Sequence, residues 1–260
     1  MSALSNQPSI MNWCGPAHHD PYPLTDPSLV TLPKPFTVLI AGGSRGIGAG
    51  CATAYAKAGA SHILLAGRTQ STLDSKAASL RAEYPNTRID VAVADLTSDT
   101  DIASLAATAK TVLDGRLDVL VINAGTATKL VRNPRTGLRD FPGDLVEASV
   151  EDFRRVMDVN VMGAWVQCHH FLPLLEQTEG GAKAVVLISS AAAHYIDPSV
   201  MAAAYSLSKF AATRLMEHVH EAHKSKGVVA YALQPGGVDT DLADVPEGKG
   251  WEKCKSRRGL

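Results

Sequence analysis

Short apolar runs alternate with amphipathic stretches along most of the chain. Apolar residues recur at spacings of three and four between these runs, which is typical of helices with one buried face. Strands that alternate with such helices predict an α/β fold, a doubly wound parallel sheet with helices on both faces, in a single domain. Six runs of aliphatic and β-branched residues predict the strands, at 37–41, 62–66, 89–94, 117–122, 184–188 and 228–233.

The clearest helical pattern spans 151–175, where apolar side chains form a continuous stripe. Asn160 lies on this stripe. A buried amide costs a few kcal/mol unless it is hydrogen-bonded, so Asn160 needs polar partners, structural or functional. A second long helix carries Tyr205 and places Ala212, Leu215 and Val219 on one face.

The two ends of the chain differ from its centre. Residues 1–35 contain seven prolines and show no helical or strand period, which indicates an irregular lead-in. Residues 243–260 are polar and equally without a period, so we expect an irregular tail. The ordered domain is therefore expected at 36–242. Within it, a long polar loop at 126–149 carries Arg132, Arg135 and Arg139. These arginines form either a solvated face or a site for an acidic substrate.

Composition and charge exclude several classes of function. The chain has 260 residues, 45% of them hydrophobic, and a formal net charge of −1. No basic run suits nucleic acid or a membrane surface, and no apolar run is long enough to span a bilayer. Four scattered cysteines without C-x-x-C spacing indicate neither a disulfide framework nor a zinc site. We therefore predict a cytoplasmic protein without a metal.

A glycine-rich turn follows the first predicted strand and leads into an amphipathic helix. Backbone N–H groups and the helix dipole favour a phosphate at such a position, and glycine lets a pyrophosphate approach the backbone closely. Gly42, Asp95, Asn123 and Ser190 all fall at carboxyl ends of predicted strands, where ligands bind in doubly wound sheets. The turn reads Gly42-Gly43-Ser44-Arg45-Gly46-Ile47-Gly48.

Tyr205 and Lys209 are the candidate chemical groups. Side chains four residues apart on a helix project from one face, so the phenol and the ammonium can reach one small volume. A fixed ammonium favours phenolate, and we therefore expect a lowered pKa for Tyr205. The pattern alone is short and common, and it also fits a surface helix. Ser189 and Ser190 precede it.

Taken together, these motifs resemble one family over about 36–242. They occur in the order found in short-chain dehydrogenases/reductases, and the lead-in is similar to that of fungal members. The motifs are Gly42-x-x-x-Gly46-x-Gly48, Asp95, Asn123-Ala124-Gly125, Asn160, Ser190, Tyr205-x-x-x-Lys209 and Pro235-Gly236 through Thr240. The resemblance implies a Rossmann fold with a dinucleotide-binding catalytic domain at 36–242.

The resemblance also implies a role for each site residue. Tyr205 would exchange a proton with the substrate oxygen, and Ser190 would hydrogen-bond the same oxygen. Lys209 would hold the nicotinamide ribose and depress the pKa of Tyr205, while Asn160 would fix a water that links Lys209 to solvent. The implied coenzyme-binding residues are Gly42, Ser44, Arg45, Gly46, Ile47, Gly48, Arg68, Asp95, Leu96, Asn123, Lys209, Pro235, Gly236, Val238 and Thr240.

The charge pattern favours NADP(H) as the coenzyme. An NAD site requires a carboxylate about twenty residues after the glycines, but the second strand ends in Ala66-Gly67-Arg68-Thr69. Arg68 and Arg45 instead offer guanidinium groups that suit a 2′-phosphate.

The leading functional interpretation is an NADPH-dependent reductase of a ketone or a secondary-alcohol dehydrogenase, with a small carbonyl or alcohol as substrate. A serine hydrolase using Ser190 or Ser189 is an alternative, but the chain has no G-x-S-x-G motif. A catalytically weak or inactive coenzyme-binding protein is another.

Three features depart from the family pattern. Fifteen positions separate Ser190 from Tyr205, about two more than usual, and the 126–149 loop is longer than typical. Only twenty residues follow Thr240. We therefore expect a shortened form, without the seventh strand and the substrate-covering segment. A natural short variant is the alternative, in which the Asn160 and Tyr205 helices pair in a homodimer or homotetramer.

Overall fold

The computed structural model describes residues 22–23, 25–133, 136–194, 196–197, 201–236, 238, 240 and 242. The strands are β1 (Thr37–Ala41), β2 (His62–Gly67), β3 (Arg88–Val93), β4 (Val119–Ile122), β5 (Val131–Arg132), β6 (Arg139–Asp140), β7 (Ala184–Ile188) and β8 (Val229–Leu233). The α-helices are α1 (Gly46–Lys57), α2 (Gln70–Glu83), α3 (Asp99–Val112), α4 (Val150–Met157), α5 (Gly163–Gln177) and α6 (Ala203–His223).

Six strands form one parallel sheet in the order β3-β2-β1-β4-β7-β8. The chain order reverses between β1 and β4, as in a doubly wound Rossmann fold, and ligands bind at such a switch point. Every residue of β1, β2 and β4 is buried, which explains why these strands appear in the sequence as unbroken apolar runs. The predicted fold class and the six strands are confirmed.

Helices cover both faces of this sheet. Alternate side chains of a strand point to opposite faces, so Val38 and Ile40 face one layer while Leu39 faces the other. The first layer packs against α1 and α2. The second packs against α3, α5 and α6, with Phe171 of α5 fully buried at its centre.

The predicted helix at 151–175 is interrupted by one wider turn. Its first part is α4, its last part is α5, and Asp158–Met162 between them forms a π-helical turn. Asn160 occupies the middle of this turn and is buried. Single π turns inside helices occur frequently at functional sites.

The loop at 126–149 contains a small antiparallel hairpin of β5 and β6, which the sequence pattern did not predict. Arg132 and Arg139 are the exposed residues of its two strands, and Arg135 lies outside the described residues.

A buried ion pair fastens the amino-terminal edge of the sheet. The Asp118 side chain is fully buried and accepts hydrogen bonds from Arg116 Nη2 (2.6 Å) and Nε (2.8 Å) and from the backbone N–H of Thr37 (2.8 Å). The hydroxyl of Thr37 (3.3 Å) and the backbone N–H of Ala182 (3.2 Å) also donate to this carboxylate. Asp118 therefore links the start of β1 to the segments before β4 and β7.

Candidate active site

The glycine-rich turn connects β1 to α1 at the switch point of the sheet. Gly42 has φ of +88°, a conformation that favours glycine. A Cβ on Gly48 would stand 2.2 Å from the carbonyl oxygen of Gly42, so only glycine fits there. Asn123, just beyond the end of β4, donates from Nδ2 to that same oxygen at 2.8 Å. The turn and the end of β4 are thus locked together, and Gly46, the first residue of α1, is exposed.

Arg45, Arg68 and Asp95 lie around this turn. Arg45 directly precedes α1 and is exposed, and Arg68 follows β2 and is also exposed. Asp95 follows β3, where hydrogen bonds from the backbone N–H and the hydroxyl of Thr97 hold the pKa of its carboxyl below the usual value. The charge of Arg68, which follows the neighbouring strand β2, lowers the pKa of Asp95 slightly further.

The remaining predicted coenzyme residues lie along the same edge of the sheet. Thr240 contacts the turn, since a Cβ on Gly46 would meet its methyl group at 3.2 Å. Leu96 is buried after β3, and Val238 is exposed. The other predicted coenzyme-binding residues at this edge are half-buried or exposed, namely Ser44, Ile47, Pro235 and Gly236.

Tyr205 and Lys209 share one face at the start of α6, as their spacing predicted. The Lys209 ammonium nitrogen lies 5.8 Å from the centre of the Tyr205 ring. It donates a hydrogen bond of 2.8 Å to the carbonyl oxygen of Ile188 at the end of β7. Lys209 is only 4% exposed, and this burial lowers its pKa to about 8.

The predicted lowering of the Tyr205 pKa is wrong in this structure. Burial raises the pKa of the phenol above its ordinary value, and a hydrogen bond with Ser190 offsets the shift only in part. The Lys209 ammonium is directed at Ile188 and does not reverse the effect of burial. The two groups therefore shift in opposite directions, each towards its neutral form, because both are removed from water.

Ser189 and Ser190 point in different directions. The Ser190 hydroxyl offsets part of the rise in the pKa of the Tyr205 phenol, and its oxygen accepts from the backbone N–H of Ala192 at 3.2 Å. The Ser189 hydroxyl instead pairs with that of Thr213 in α6 at 2.7 Å. Ser190 therefore faces the candidate site, and Ser189 fastens β7 to α6.

The side-chain oxygen and nitrogen of Asn160 are both hydrogen-bonded, which explains how an amide is accommodated on an apolar helix face. Its Oδ1 accepts from the backbone N–H of Thr126 at 2.8 Å, and its Nδ2 donates to the Thr126 carbonyl at 2.9 Å. Nδ2 also donates to the hydroxyl of Ser208 at 2.9 Å. Asn160 thus ties the segment after β4 to the helix that carries Tyr205.

A second pair of residues, which the sequence reasoning missed, holds the same segment. Arg155 donates to the Thr126 hydroxyl and, at 2.7 Å, to the Ala127 carbonyl. Asp152 pairs with Arg155 at 2.7 Å and accepts from the backbone N–H of Lys129 at 3.0 Å. Their spacing of three on a predicted helix was the available signal.

Two kinds of site are not found in the part of the chain that the structure describes. No three histidine, cysteine or acidic side chains there are arranged to hold a metal ion. Among the same residues, no helix combines the length and the apolar character that a membrane span requires.

Comparison with known proteins gives a consistent result. The family model for the short chain dehydrogenase family matches residues 36–248. The short chain dehydrogenase pigC of Monascus ruber is 32% identical over 234 residues, which cover 89% of this chain and 71% of that protein. An alcohol dehydrogenase from the archaeon Thermococcus sibiricus, solved with 5-hydroxy-NADP, is 27% identical with a TM-score of 0.69 and covers 85% of this chain and 84% of its own. A 7α-hydroxysteroid dehydrogenase, solved with NADH and 7-oxo glycochenodeoxycholic acid, is 25% identical with a TM-score of 0.65, covering 78% and 71%.

Proposed function

The chain belongs to the short-chain dehydrogenase family, and on that premise we propose that it is an NADPH-dependent reductase of a ketone, or in the reverse direction a secondary-alcohol dehydrogenase. The observation that carries the proposal is the pairing of Tyr205 with the buried Lys209, whose ammonium nitrogen lies 5.8 Å from the centre of the phenol ring, beside Ser190. A serine hydroxyl and a phenol that share one small volume suit the binding and protonation of a carbonyl oxygen.

The residues at the switch point fit a dinucleotide. The close approach of Gly48 to Gly42 forms a side-chain-free cradle at the amino end of α1, where backbone N–H groups favour a pyrophosphate. Thr240 lies against the same turn. When bound, a nicotinamide coenzyme supplies the hydride for carbonyl reduction.

Each polar group near Tyr205 has a distinct task in this proposal. Tyr205, whose raised pKa keeps the phenol protonated at neutral pH, donates its proton to the substrate oxygen. Ser190 hydrogen-bonds the same oxygen and orients the phenol. Lys209 binds the ribose hydroxyls and, when charged, favours the phenolate that proton donation leaves behind.

The preference for NADPH rests on the charges at the end of β2. Arg68 and Arg45 are both exposed near the glycine turn, and guanidinium groups suit a 2′-phosphate. Arg68 and Asp95 follow the neighbouring strands β2 and β3, so both lie at the carboxyl edge of the sheet.

We further propose that two copies of the chain associate through α5 and α6. Large apolar side chains on these helices are exposed, namely Trp165 (57%), Leu207 (50%) and Phe210 (49%). A second copy would cover them. The molar mass from light scattering after size exclusion should be that of a dimer or tetramer. In Trp165→Glu, this mass should fall towards that of the monomer.

The main test replaces the phenol. Tyr205→Phe should reduce turnover of a ketone panel by about 100- to 10,000-fold, the usual effect of a general acid, while the Kd for NADPH measured by fluorescence stays within about twofold. Tyr84→Phe is the matched control, because the Tyr84 hydroxyl bonds the exposed Glu83 at the opposite edge of the sheet. Undiminished turnover in Tyr205→Phe would refute the assignment.

The same measurements separate the alternatives. A protein that binds NADPH but reduces no carbonyl in the panel would be a coenzyme-binding protein without turnover. Hydrolysis of activated esters that is lost in Ser190→Ala and retained in Tyr205→Phe would favour the hydrolase.

A further inference from the structure

Ser208 is a fully buried hydroxyl between Tyr205 and Lys209 on α6. Its Oγ donates to the carbonyl oxygen of Tyr205 at 2.8 Å and accepts from Asn160 Nδ2 at 2.9 Å. Ser208 therefore connects the backbone of the candidate acid to the side chain in the π turn.

These hydrogen bonds form a series that runs from the Tyr205 carbonyl through Ser208 and Asn160 to the Thr126 backbone N–H. The groups at its two ends determine the direction of every bond in the series. The Tyr205 carbonyl can only accept, so the Ser208 hydroxyl donates there and must accept from Asn160. At the other end, the Thr126 backbone N–H can only donate, so it requires Asn160 Oδ1. Both ends select the same orientation of the Asn160 amide, which a flip by 180° would disrupt at every contact.

The amide that is oriented in this way borders the Lys209 ammonium. A Cβ on Gly125 would lie 3.3 Å from Asn160 Oδ1 and 3.4 Å from Lys209 Nζ, so Gly125 lies between the two side chains. Movement of the Asn160 amide would release Thr126 and with it the backbone beside Lys209.

We propose that Ser208 is a positioning residue, which fixes the Asn160 amide and thereby the segment after β4 relative to Tyr205 and Lys209. Its effect on turnover rests on the proposed function. Its effect on the Thr126 hydrogen bond does not, because that bond exists whatever reaction the protein catalyses.

The experiment compares Ser208→Ala with Ser206→Ala and Ser208→Cys. Ser206 is the matched control, since it lies on the same turn of α6 and its buried hydroxyl has no hydrogen-bond partner among the described residues. Cysteine keeps an atom, a somewhat larger one, in the place of the hydroxyl oxygen but hydrogen-bonds only weakly, so Ser208→Cys separates the effect of an empty space from that of a lost hydrogen bond.

Two readouts are measured on the full chain. The first is hydrogen exchange of the Thr126 backbone amide, followed by NMR. We expect it to be about tenfold faster in Ser208→Ala and Ser208→Cys, the effect of one weakened hydrogen bond, and unchanged in Ser206→Ala. The second is kcat for ketone reduction, which should fall about tenfold in the same two variants with the Kd for NADPH unchanged.

The outcomes are distinguishable. Wild-type exchange at Thr126 in both Ser208 variants overturns the inference. So does faster exchange throughout the protein, because that indicates a general loss of stability. If Ser208→Ala does not fold, the exchange measured in Ser208→Cys decides. If wild-type protein reduces no ketone, the proposed function fails, and Thr126 exchange still tests the positioning role.

Discussion

The Lys209 ammonium nitrogen lies 2.8 Å from the carbonyl oxygen of Ile188, at the point where α6 meets the end of β7. One carbonyl replaces little of the water that a charged amine loses on burial, and the lowered pKa of about 8 reflects this. Lys209 is therefore held in place at a cost to folding stability, which is the usual condition of a functional group in a buried site.

Lys209→Met should stabilise the protein while it abolishes turnover. The folded-state pKa of about 8 lies below the ordinary 10.5, so the unfolded chain binds more protons between these values. Stability of the wild type should therefore rise with pH from about 8 to 10.5, and the full cost of burial applies below pH 8. At pH 7, we expect urea unfolding to show a gain on the order of 1–3 kcal/mol for the variant.

The control for this experiment is Lys110→Met, which removes an exposed lysine of α3. It should leave both the rise in stability between pH 8 and 10.5 and the turnover unchanged. Equal stability of Lys209→Met and the wild type at pH 7 would contradict the interpretation.

Ser190→Ala and Ser189→Ala should have different effects. The Ser190 hydroxyl contacts Tyr205, so its loss should reduce kcat for ketone reduction by about 10- to 1000-fold, as for other groups that stabilise charge at the reacting oxygen. The Ser189 hydroxyl contacts Thr213, so its loss should change stability by about 1 kcal/mol and leave kcat nearly unchanged. The reverse pattern would identify Ser189 as the functional serine.

Arg68→Asp should change the preferred coenzyme. The exposed guanidinium would be replaced by a carboxylate that repels a 2′-phosphate and accepts from a 2′-hydroxyl. We expect the ratio of kcat/KM for NADPH over NADH to fall by at least about 100-fold. Arg214→Asp, at an exposed position on α6, makes the same charge change and should leave the ratio unchanged. A wild type that already prefers NADH would show that the assignment of Arg68 is wrong.

Asp118→Asn should be the most destabilising of these substitutions. It leaves the Arg116 guanidinium, on a side chain that is only 21% exposed, without its carboxylate, and such a loss costs about 3–5 kcal/mol. Glu217→Gln provides the comparison, because the Arg214–Glu217 pair is exposed and worth at most about 1 kcal/mol. Urea unfolding measures the loss of stability in each variant. A loss of similar size in Asp118→Asn and Glu217→Gln would contradict the interpretation that the Asp118–Arg116 pair is buried and stabilising.

The sequence allowed the sheet to be predicted because its strands are buried on both faces. An unbroken apolar run such as 38–40, with helical patterns on either side of it, is typical of a strand inside a parallel sheet. The edge of the sheet at which the predicted site residues lie followed from parallel topology, and Asn123 meets Gly42 there.

The π turn and the directions of the Ser189 and Ser190 side chains could not be predicted from the pattern of apolar residues. An apolar stripe tolerates one extra residue without losing its spacing of three or four, so the change of helix type at Asp158 left no signal. Ser189 and Ser190 are adjacent and of one type, and only the end of β7 determines which of them faces Tyr205. Contacts such as Arg155 with Ala127 depend on loop geometry, which no periodic pattern records.

The π turn also determines how the long helical segment responds to a change of length. Removal of one residue from Asp158–Met162 would allow a regular α-helix, and in isolation that helix would be the more favourable. If all five residues were instead wound as a regular α-helix, every residue of α5 would rotate by about 100° relative to α4, and Phe171 would leave the core. The wider turn thus accommodates one extra residue while the buried faces of α4 and α5 remain on the same side of the helix.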